Sequence, residues 1–342
     1  MKELKCGLVG CGRIGCGYDE KPDEFLIRTH AMAYIKNNHT KLVSLCDVDK
    51  NKLKKYGKIY SVRNQYTDFK EMLKEESLDC LSICTHGDTH LKFVTEAVRK
   101  NIRGIMIEKP ISDSLNNAEK IIKLCKQKKV ILAVNHQRRF NPFYQKISHL
   151  LKEGKLGKIQ LVNLMYGGGI ANTGSHIFDV LRLFFGEAKS IKSELSKNSS
   201  HKNFDPNLEI CIEFQGGFIV NLCPLDLKNY GILEMDIFGT KKRLSIDLVT
   251  NENKIFSSSR VSQDYKKLEK LKKLINFSYP PTDIRFGINN LINCIKRKKI
   301  PVCTGYDGYK SLELVIASML SNKLEKKILL PVTNKNYKIK FR

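Results

Sequence analysis

The sequence predicts an α/β domain built on a parallel sheet, followed by an α+β domain with a large, mostly antiparallel open sheet, and three observations predict it. The chain has 342 residues, more than one hydrophobic core usually serves, so two domains of roughly 100–200 residues each are expected. In its first part, short apolar runs alternate with segments of helical periodicity, the pattern of βαβ units. After Asn141-Pro142 the strands lengthen and alternate: Leu233, Met235 and Ile237 point one way, Glu234 and Asp236 the other, as in a sheet with one packed face.

In chain order, residues 4–9, 42–46, 78–84, 105–107 and 130–134 read as the buried strands of the first domain. A helix is expected at 30–37. A clearer one covers 113–126, where Leu115, Ala118, Ile121, Ile122 and Cys125 recur at helical spacing behind Ser112 as the cap. In the second part, 159–165, 208–214, 217–223, 232–238 and 243–248 supply the antiparallel sheet. The apolar run 180–185 reads as a helix with Ser175 as its cap and Gly186 as its stop. Residues 265–277 carry Leu268, Leu271, Leu274 and Ile275 among lysines, which reads as an amphipathic surface helix packed on the core, with a peripheral membrane role as the alternative. The division follows as 1–140 and 141–342.

Composition narrows the function classes. The 42% hydrophobic content is ordinary for a globular chain, and no run reaches the ~18 apolar residues of a membrane span. The amino-terminal apolar stretch is short and runs into glycines rather than a cleavage site, so secretion is not expected. The eleven cysteines contain no CxxC pair and no zinc spacing; they read as reduced, mostly core-facing thiols of a cytoplasmic protein without a metal site. The net charge is +25, but lysine supplies 47 of the 60 basic residues and is spread along the whole length. With no nucleic-acid-binding module beside it, that charge is read as composition bias rather than a nucleic-acid surface, and it would equally attract a phosphorylated or carboxylated small molecule.

Chemistry concentrates in a few motifs. Gly10-Cys11-Gly12-Arg13-Ile14-Gly15 is a GxGxxG directly after a strand, where glycines permit a tight turn and close backbone approach to a pyrophosphate; the first domain is therefore read as a Rossmann domain. Asp47 ends the second strand, where an acidic side chain binds the adenosine ribose, favouring NAD over NADP. It stands 32 residues past Gly15 rather than the usual ~20, and residues 16–28 read as an insertion. Glu108-Lys109-Pro110 follows the strand 105–107, so Lys109 stands at the carboxyl end of a parallel strand, where such sheets place ligands. His176 and Asp179, three apart on the first turn of their helix, pair an imidazole with a carboxylate that can orient it for proton transfer.

Together the GxGxxG, Thr85 with His90, Glu108-Lys109-Pro110, Asn135-His136-Gln137-Arg138-Arg139-Phe140 and Gly174-Ser175-His176-Ile177-Phe178-Asp179 resemble the glucose-fructose oxidoreductase/inositol dehydrogenase/MocA family in order and spacing. Residues 304–313, a glycine-led final helix, and Leu329-Leu330-Pro331, a closing strand, resemble it too. The resemblance implies hydride exchange between C4 of a nicotinamide and a ring hydroxyl of a sugar, sugar nucleotide or cyclitol. It implies Lys109, His176 and Asp179 as catalytic residues. Gly10, Cys11, Gly12, Arg13, Ile14, Asp47, Thr85, His86, His90 and Glu108 would bind the cofactor. Lys109, Arg138, Asn172 and His176 would contact substrate, and a homodimer or homotetramer is implied. The sequence departs from the family at Asn172, where many members carry an acidic residue, and in the insertion. The same framework also serves tetrapyrrole- and dihydrodiol-type acceptors, and a non-enzymatic NAD-binding regulator; retention of Lys109 and His176 argues against the last.

Overall fold

The computed structural model describes residues 3–21, 25–197, 204–263, 265–271, 280 and 282–341. Its contacts divide the chain into two compact units: Met1–Phe140 with Thr282–Leu312 and Phe341, and Asn141–Pro281 with Glu313–Lys340 and Arg342. The first unit thus includes a return segment, 282–312, that a cut at 140/141 assigns to the second.

The first unit holds six parallel strands: β1 (Leu4–Val9), β2 (Thr40–Cys46), β3 (Asn64–Tyr66), β4 (Cys80–Ile83), β5 (Gly104–Ile107) and β6 (Ile131–Val134). Their order is β3-β2-β1-β4-β5-β6, the doubly wound order whose ligand crevice opens where the winding reverses, between β1 and β4. The central strands are mainly apolar because helices cover both faces: Leu8, Leu45, Leu81, Ile83, Ile105 and Ile107 are wholly buried, with Ser44 and Ser82 as buried polar residues among them. Strand β3 is absent from the sequence expectation; it is three residues long and polar, too short for a periodic signal. The helices are α1 (His30–Ile35), α2 (Lys50–Ile59), α3 (Phe69–Glu75), α4 (His90–Ala97), α5 (Leu115–Gln127) and α6 (Gln137–Phe140). Helix α5 is capped by Ser114, whose hydroxyl accepts from Asn117 N–H, and not by Ser112, because the chain stays extended as far as Ser114.

The insertion is an excursion spliced into α1. The glycine loop begins a helical turn, with Cys16 N–H donating to Gly12 O at 2.9 Å. The chain then leaves and returns at His30, whose N–H donates to Ile14 O at 3.1 Å, while Ala31 N–H donates to Gly15 O at 3.0 Å. Those bonds have the register of one continuous helix with 17–28 removed. Setting these residues aside brings Asp47 to about the usual ~20 residues past Gly15. The neck is tied by buried Asp19, whose carboxylate accepts from the N–H groups of Arg28 and Thr29 and from the Thr29 hydroxyl. Residues 22–24 lie outside the described residues.

The second unit carries α7 (Pro142–Lys152), α8 (Ser175–Phe185) and a nine-stranded sheet. Its strands are β7 (Ile159–Gly167), β8 (Ala188–Leu195), β9 (Leu208–Phe214), β10 (Ile219–Leu225), β11 (Leu233–Gly239), β12 (Lys242–Asp247), β13 (Asn253–Arg260), β14 (Lys266–Lys270) and β15 (Ile328–Leu329). Their order is β14-β13-β12-β11-β7-β10-β9-β8-β15, antiparallel except for β7 with β10. Val162, Leu164, Tyr166, Val220, Leu222, Met235 and Ile237 bury one face; Asn163, Met165, Cys211, Asn221 and Cys223 line a depression of about 670 Å³ on the other. Where the sequence predicts an amphipathic helix at 265–277, residues 266–270 form the edge strand β14, paired with β13 and exposed throughout. The run Lys266-Lys267-Leu268-Glu269-Lys270, charged but for one leucine, fits a solvated edge as well as a helix, and pairing with β13 decides it. Residues 272–277 of that segment lie outside the described residues.

Helix α9 (Ile284–Arg297) then packs on β5, β6 and α1 of the first unit, and α10 (Gly305–Leu324) begins there with Thr304 and Asp307 capping one another. No helix among the described residues is long and apolar enough to cross a membrane. Nine of the eleven cysteines are buried; Cys211 and Cys223 are exposed.

Candidate functional site

In the first unit the site is assembled at the carboxyl ends of β1, β2, β4 and β5. Gly10 has φ +94°, and a Cβ there would stand 2.8 Å from the Cys84 carbonyl at the end of β4. A Cβ on Gly15 would run into the Gly10 carbonyl, so the loop closes only with glycine at both positions. Gly12 faces open space, as a backbone must where a pyrophosphate approaches. Arg13 and half-buried Ile14 complete the turn.

Asp47 braces this loop from β2. One carboxylate oxygen accepts from Cys11 N–H at 2.7 Å and the other from Asp49 N–H at 2.9 Å. A cavity of about 410 Å³ opens beside it, lined by Gly10, Asp47, Val48, Thr67, Thr85 and Phe93 among others, at the adenosine end of such a crevice. The glycine clearances, the carboxylate at the end of β2 and this cavity fit a dinucleotide.

The β4–α4 loop supplies Thr85, half-buried, and His86, exposed. Gly87 lies against Phe341, and His86 has its ring centroid 6.1 Å from that of Phe341. His90 lies inward rather than at the cavity. It is buried, with Nε2 3.0 Å from Thr85 O and Nδ1 3.1 Å from Ile111 O, so it bridges the loops that follow β4 and β5. Burial disfavours its charged form and pulls its pKa down, against the two carbonyls and the charges of Glu108 and Asp88, which favour it.

Lys109 is half-buried at the end of β5. Glu108 is buried behind it, its Oε1 accepting from Asn135 Nδ2 at 2.6 Å and lying 2.9 Å from His30 Nε2. Burial pushes the Glu108 carboxyl up, yet the hydrogen bond and charge of His30, the Asn135 amide and the charge of Lys109 together hold it below the usual carboxylate range. Arg138 and Arg139 are buried in α6, and Arg139 pairs with Asp307 at 3.2 Å inside the same unit rather than across the two units.

In the second unit, β7 ends at Gly167 and a π-helical turn, Ile170–Gly174, leads straight into α8. Ser175 therefore does not cap α8; its hydroxyl donates to Asn172 O at 2.8 Å, because the chain is already helical when it arrives. Gly186, at φ +81°, closes the helix as expected. Asn172 is exposed, His176 half-buried, and Asp179 buried one turn further along. Sequence reasoning misses Asp205, whose carboxylate accepts from Ala171 N–H at 2.6 Å and Asn172 N–H at 3.3 Å and so pins this turn. It also misses His30 as a partner of Glu108. Asp205-Pro206 signals only a turn, and His30 only the start of a helix; nothing local names the distant partners. Lys109 and Arg138 belong to the first unit, Asn172, His176 and Asp179 to the second.

Residues 4–136 match the GFO/IDH/MocA model described as an oxidoreductase family with an NAD-binding Rossmann fold, and residues 162–330 match that family's C-terminal alpha/beta domain. Among curated relatives, the chain is 25% identical to a D-apiose dehydrogenase of Paraburkholderia graminis over 94% of this chain and 88% of that one. It is 22% identical to a myo-inositol 2-dehydrogenase of Thermotoga maritima over 82% of this chain and 88% of the relative. Among solved structures it shares the fold of the WlbA dehydrogenase from Bordetella pertussis, solved in complex with NADH and UDP-GlcNAcA, with a TM-score of 0.77, 19% identity, and coverage of 97% of this chain and 100% of that one.

Proposed function

The chain belongs to the GFO/IDH/MocA oxidoreductase family, and from that membership we propose that it oxidises a ring hydroxyl of a sugar, sugar nucleotide or cyclitol, or reduces the corresponding ketone, with NAD as its cofactor. The observation that carries the proposal is the sharing of one sheet edge: the glycine loop, Asp47 and Lys109 all stand at the carboxyl ends of neighbouring strands β2, β1, β4 and β5. Relatives named as sugar and cyclitol dehydrogenases support the substrate class.

Gly10, Cys11, Gly12, Arg13 and Ile14 would hold the pyrophosphate, with Asp47, Thr85 and His86 along the rest of the dinucleotide. When bound, the nicotinamide supplies the hydride acceptor or donor. Lys109 donates a hydrogen bond to the substrate oxygen, stabilising alkoxide-like charge as the carbon–hydrogen bond breaks. His176 takes the hydroxyl proton, and Asp179, a turn along α8, orients the imidazole. Asn172 contacts substrate through an amide that carries no charge, which suits a neutral polyol; Arg138 adds a cation for an anionic substituent. An Asp47 carboxylate accepts from ribose hydroxyls and repels a 2′-phosphate, so NAD is preferred over NADP. The reading also places the protein in the cytoplasm and joins copies of it through the open face of the nine-stranded sheet.

The test is absorbance at the reduced-nicotinamide band, with NAD or NADP and a panel of sugar nucleotides, free sugars and cyclitols. Turnover with NAD on at least one polyol is expected, and Lys109→Ala should lower kcat/KM by about 10²–10³-fold, as loss of a donor to a developing oxyanion does. Tight NAD binding without turnover across the panel overturns the substrate class.

A further inference from the structure

The loop between β4 and α4 forms one wall of the cofactor crevice, and a residue from far along the chain is packed against it. Cys84 and Thr85 meet the glycine loop: a Cβ on Gly10 would stand 2.8 Å from the Cys84 carbonyl and 3.0 Å from Thr85 Cγ2. Thr85 also lines the cavity of about 410 Å³ together with Gly10 and Asp47. Two residues on, a Cβ on Gly87 would stand 2.6 Å from Cζ of Phe341 and 3.2 Å from the Pro110 carbonyl oxygen. The Phe341 ring lies beside that of His86, tilted by 42° with centroids 6.1 Å apart. Phe341 belongs to the first unit, although the residues before it, Glu313–Lys340, belong to the second.

We infer that Phe341 is a positioning residue for the cofactor: its ring, seated on Gly87, holds the β4–α4 loop, and with it Thr85, in the form that receives the dinucleotide. The inference rests on the reading of this edge as an NAD site and is independent of the substrate.

Space rather than conformation excludes a side chain at Gly87. Its φ lies outside the left-handed region, unlike that of Gly10, so alanine is unstrained there and only the ring and the Pro110 carbonyl stand in the way. Gly87 is buried between two exposed neighbours, His86 and Asp88. The loop's hydrogen bonds run back to the start of α4: Thr89 N–H donates to His86 O at 3.0 Å, His90 N–H to Gly87 O at 3.4 Å, and His90 Nε2 lies 3.0 Å from Thr85 O. Those bonds fix the loop to the helix that follows it. The phenyl ring bears on it from another part of the chain, where the loops after β4 and β5 meet. Without the ring the loop keeps its bonds to α4 and samples other positions. NAD then meets the receiving form in only a fraction of the molecules, and its apparent Kd rises by the inverse of that fraction.

The test is calorimetric titration of the whole protein with NAD, alongside hydrogen exchange of the peptide 84–90; neither needs turnover. In Phe341→Ala the Kd for NAD should rise by about tenfold, the value for a receiving form populated roughly one time in ten, and residues 84–90 should exchange faster while the parallel strands keep their protection. With a polyol that is turned over, KM for NAD should rise and kcat should hold, since bound cofactor selects the receiving form. Phe341→Tyr places a hydroxyl on the atom that faces Gly87 and should weaken binding as well, which loss of apolar burial alone would not do. Gly87→Ala should unseat the ring and raise Kd to a similar degree. The double variant Gly87→Ala/Phe341→Ala should bind no more weakly than the weaker single one, because both substitutions remove the same contact. An unchanged Kd in folded Phe341→Ala, even with a lower Tm, overturns the inference, and so do single effects that multiply in the double variant. Weakened NAD binding in Phe341→Ala supports the inference even where no polyol is oxidised, a result that removes the substrate reading instead. Polyol oxidation with unchanged NAD binding in the variant does the reverse, and an unaltered protein that binds neither NAD nor NADP removes the cofactor reading and this inference together.

Discussion

His90 shows how a single side chain is read differently once its surroundings are known. The motif nominates it for the cofactor, yet its ring nitrogens lie at Thr85 O and Ile111 O, both main-chain carbonyls of neighbouring loops. A neutral imidazole can donate to only one of them, so the position suits the cation while burial opposes it. Burial prevails, and the pKa lies below the ordinary histidine value. Stability from this group is therefore fully present above the unfolded histidine value of about 6.5 and is lost as pH falls through the depressed folded value. Thermal unfolding should show a drop in Tm on acidification from about pH 7 to pH 5 that is smaller in His90→Gln, each kcal/mol reading as roughly 2–4 °C for a unit of this size. An equal drop in both proteins would remove His90 as the cause. Glu108, whose pKa is also depressed, contributes in a separate window, lost only as pH falls below the ordinary carboxylate value of about 4.3.

Among the elements, α1 explains the largest discrepancy in the sequence, the long interval between Gly15 and Asp47. The hydrogen bonds from His30 to Ile14 and from Ala31 to Gly15 cross the excursion as though it were absent. Deleting residues 17–28 joins Cys16 to Thr29 in helical register, and the variant should fold, keep NAD binding within about tenfold, and keep the His30–Glu108 contact. The contacts it gives up are those of Glu20 with Tyr56 and Lys55 and of Arg285 with Phe25 O, worth roughly 0–1 kcal/mol each at exposed positions, together with the buried Asp19 carboxylate that ties the neck at Thr29 and the bond from Ile284 N–H to Ile27 O. Loss of NAD binding by titration in a folded deletion variant would show that the excursion belongs to the cofactor site. Within the elements, legibility follows periodicity. Strands β1, β2, β4, β5 and β6 are readable as apolar runs, and β11 as an alternation. Strand β3, at three polar residues, is not, and the β14 segment carries a pattern that fits either a strand edge or a helix.

Across the whole molecule, two cores use two kinds of sheet. The central strands of the six-stranded sheet are covered on both sides and mainly apolar on both; the nine-stranded sheet is packed on one side and presents Met165, Cys211, Ile219 and Cys223 on its outer residues. An open sheet face with apolar residues among polar ones is where a second copy is proposed to bind. Ile219, 44% exposed on β10, is a suitable probe. Sedimentation should show an oligomer that Ile219→Glu shifts toward monomer, with the circular dichroism spectrum retained. A monomer before substitution would put the association surface elsewhere or remove it.

The sequence by itself determined the order of the two domains, the glycine loop, Asp47 at the end of β2, Lys109 at the end of β5 and the one-turn spacing of His176 and Asp179. Each is written in residues that are neighbours along the chain, where periodicity, glycine and proline act directly on local backbone choice. Tertiary structure alone decided the return of 282–312 to the first unit, Asp205 under the Asn172 turn, the pairing of Arg139 with Asp307, and the pairing of His30 with Glu108. Those partners are far apart in sequence, and buried polar groups find them only because the fold removes water and leaves no other donor or acceptor within reach.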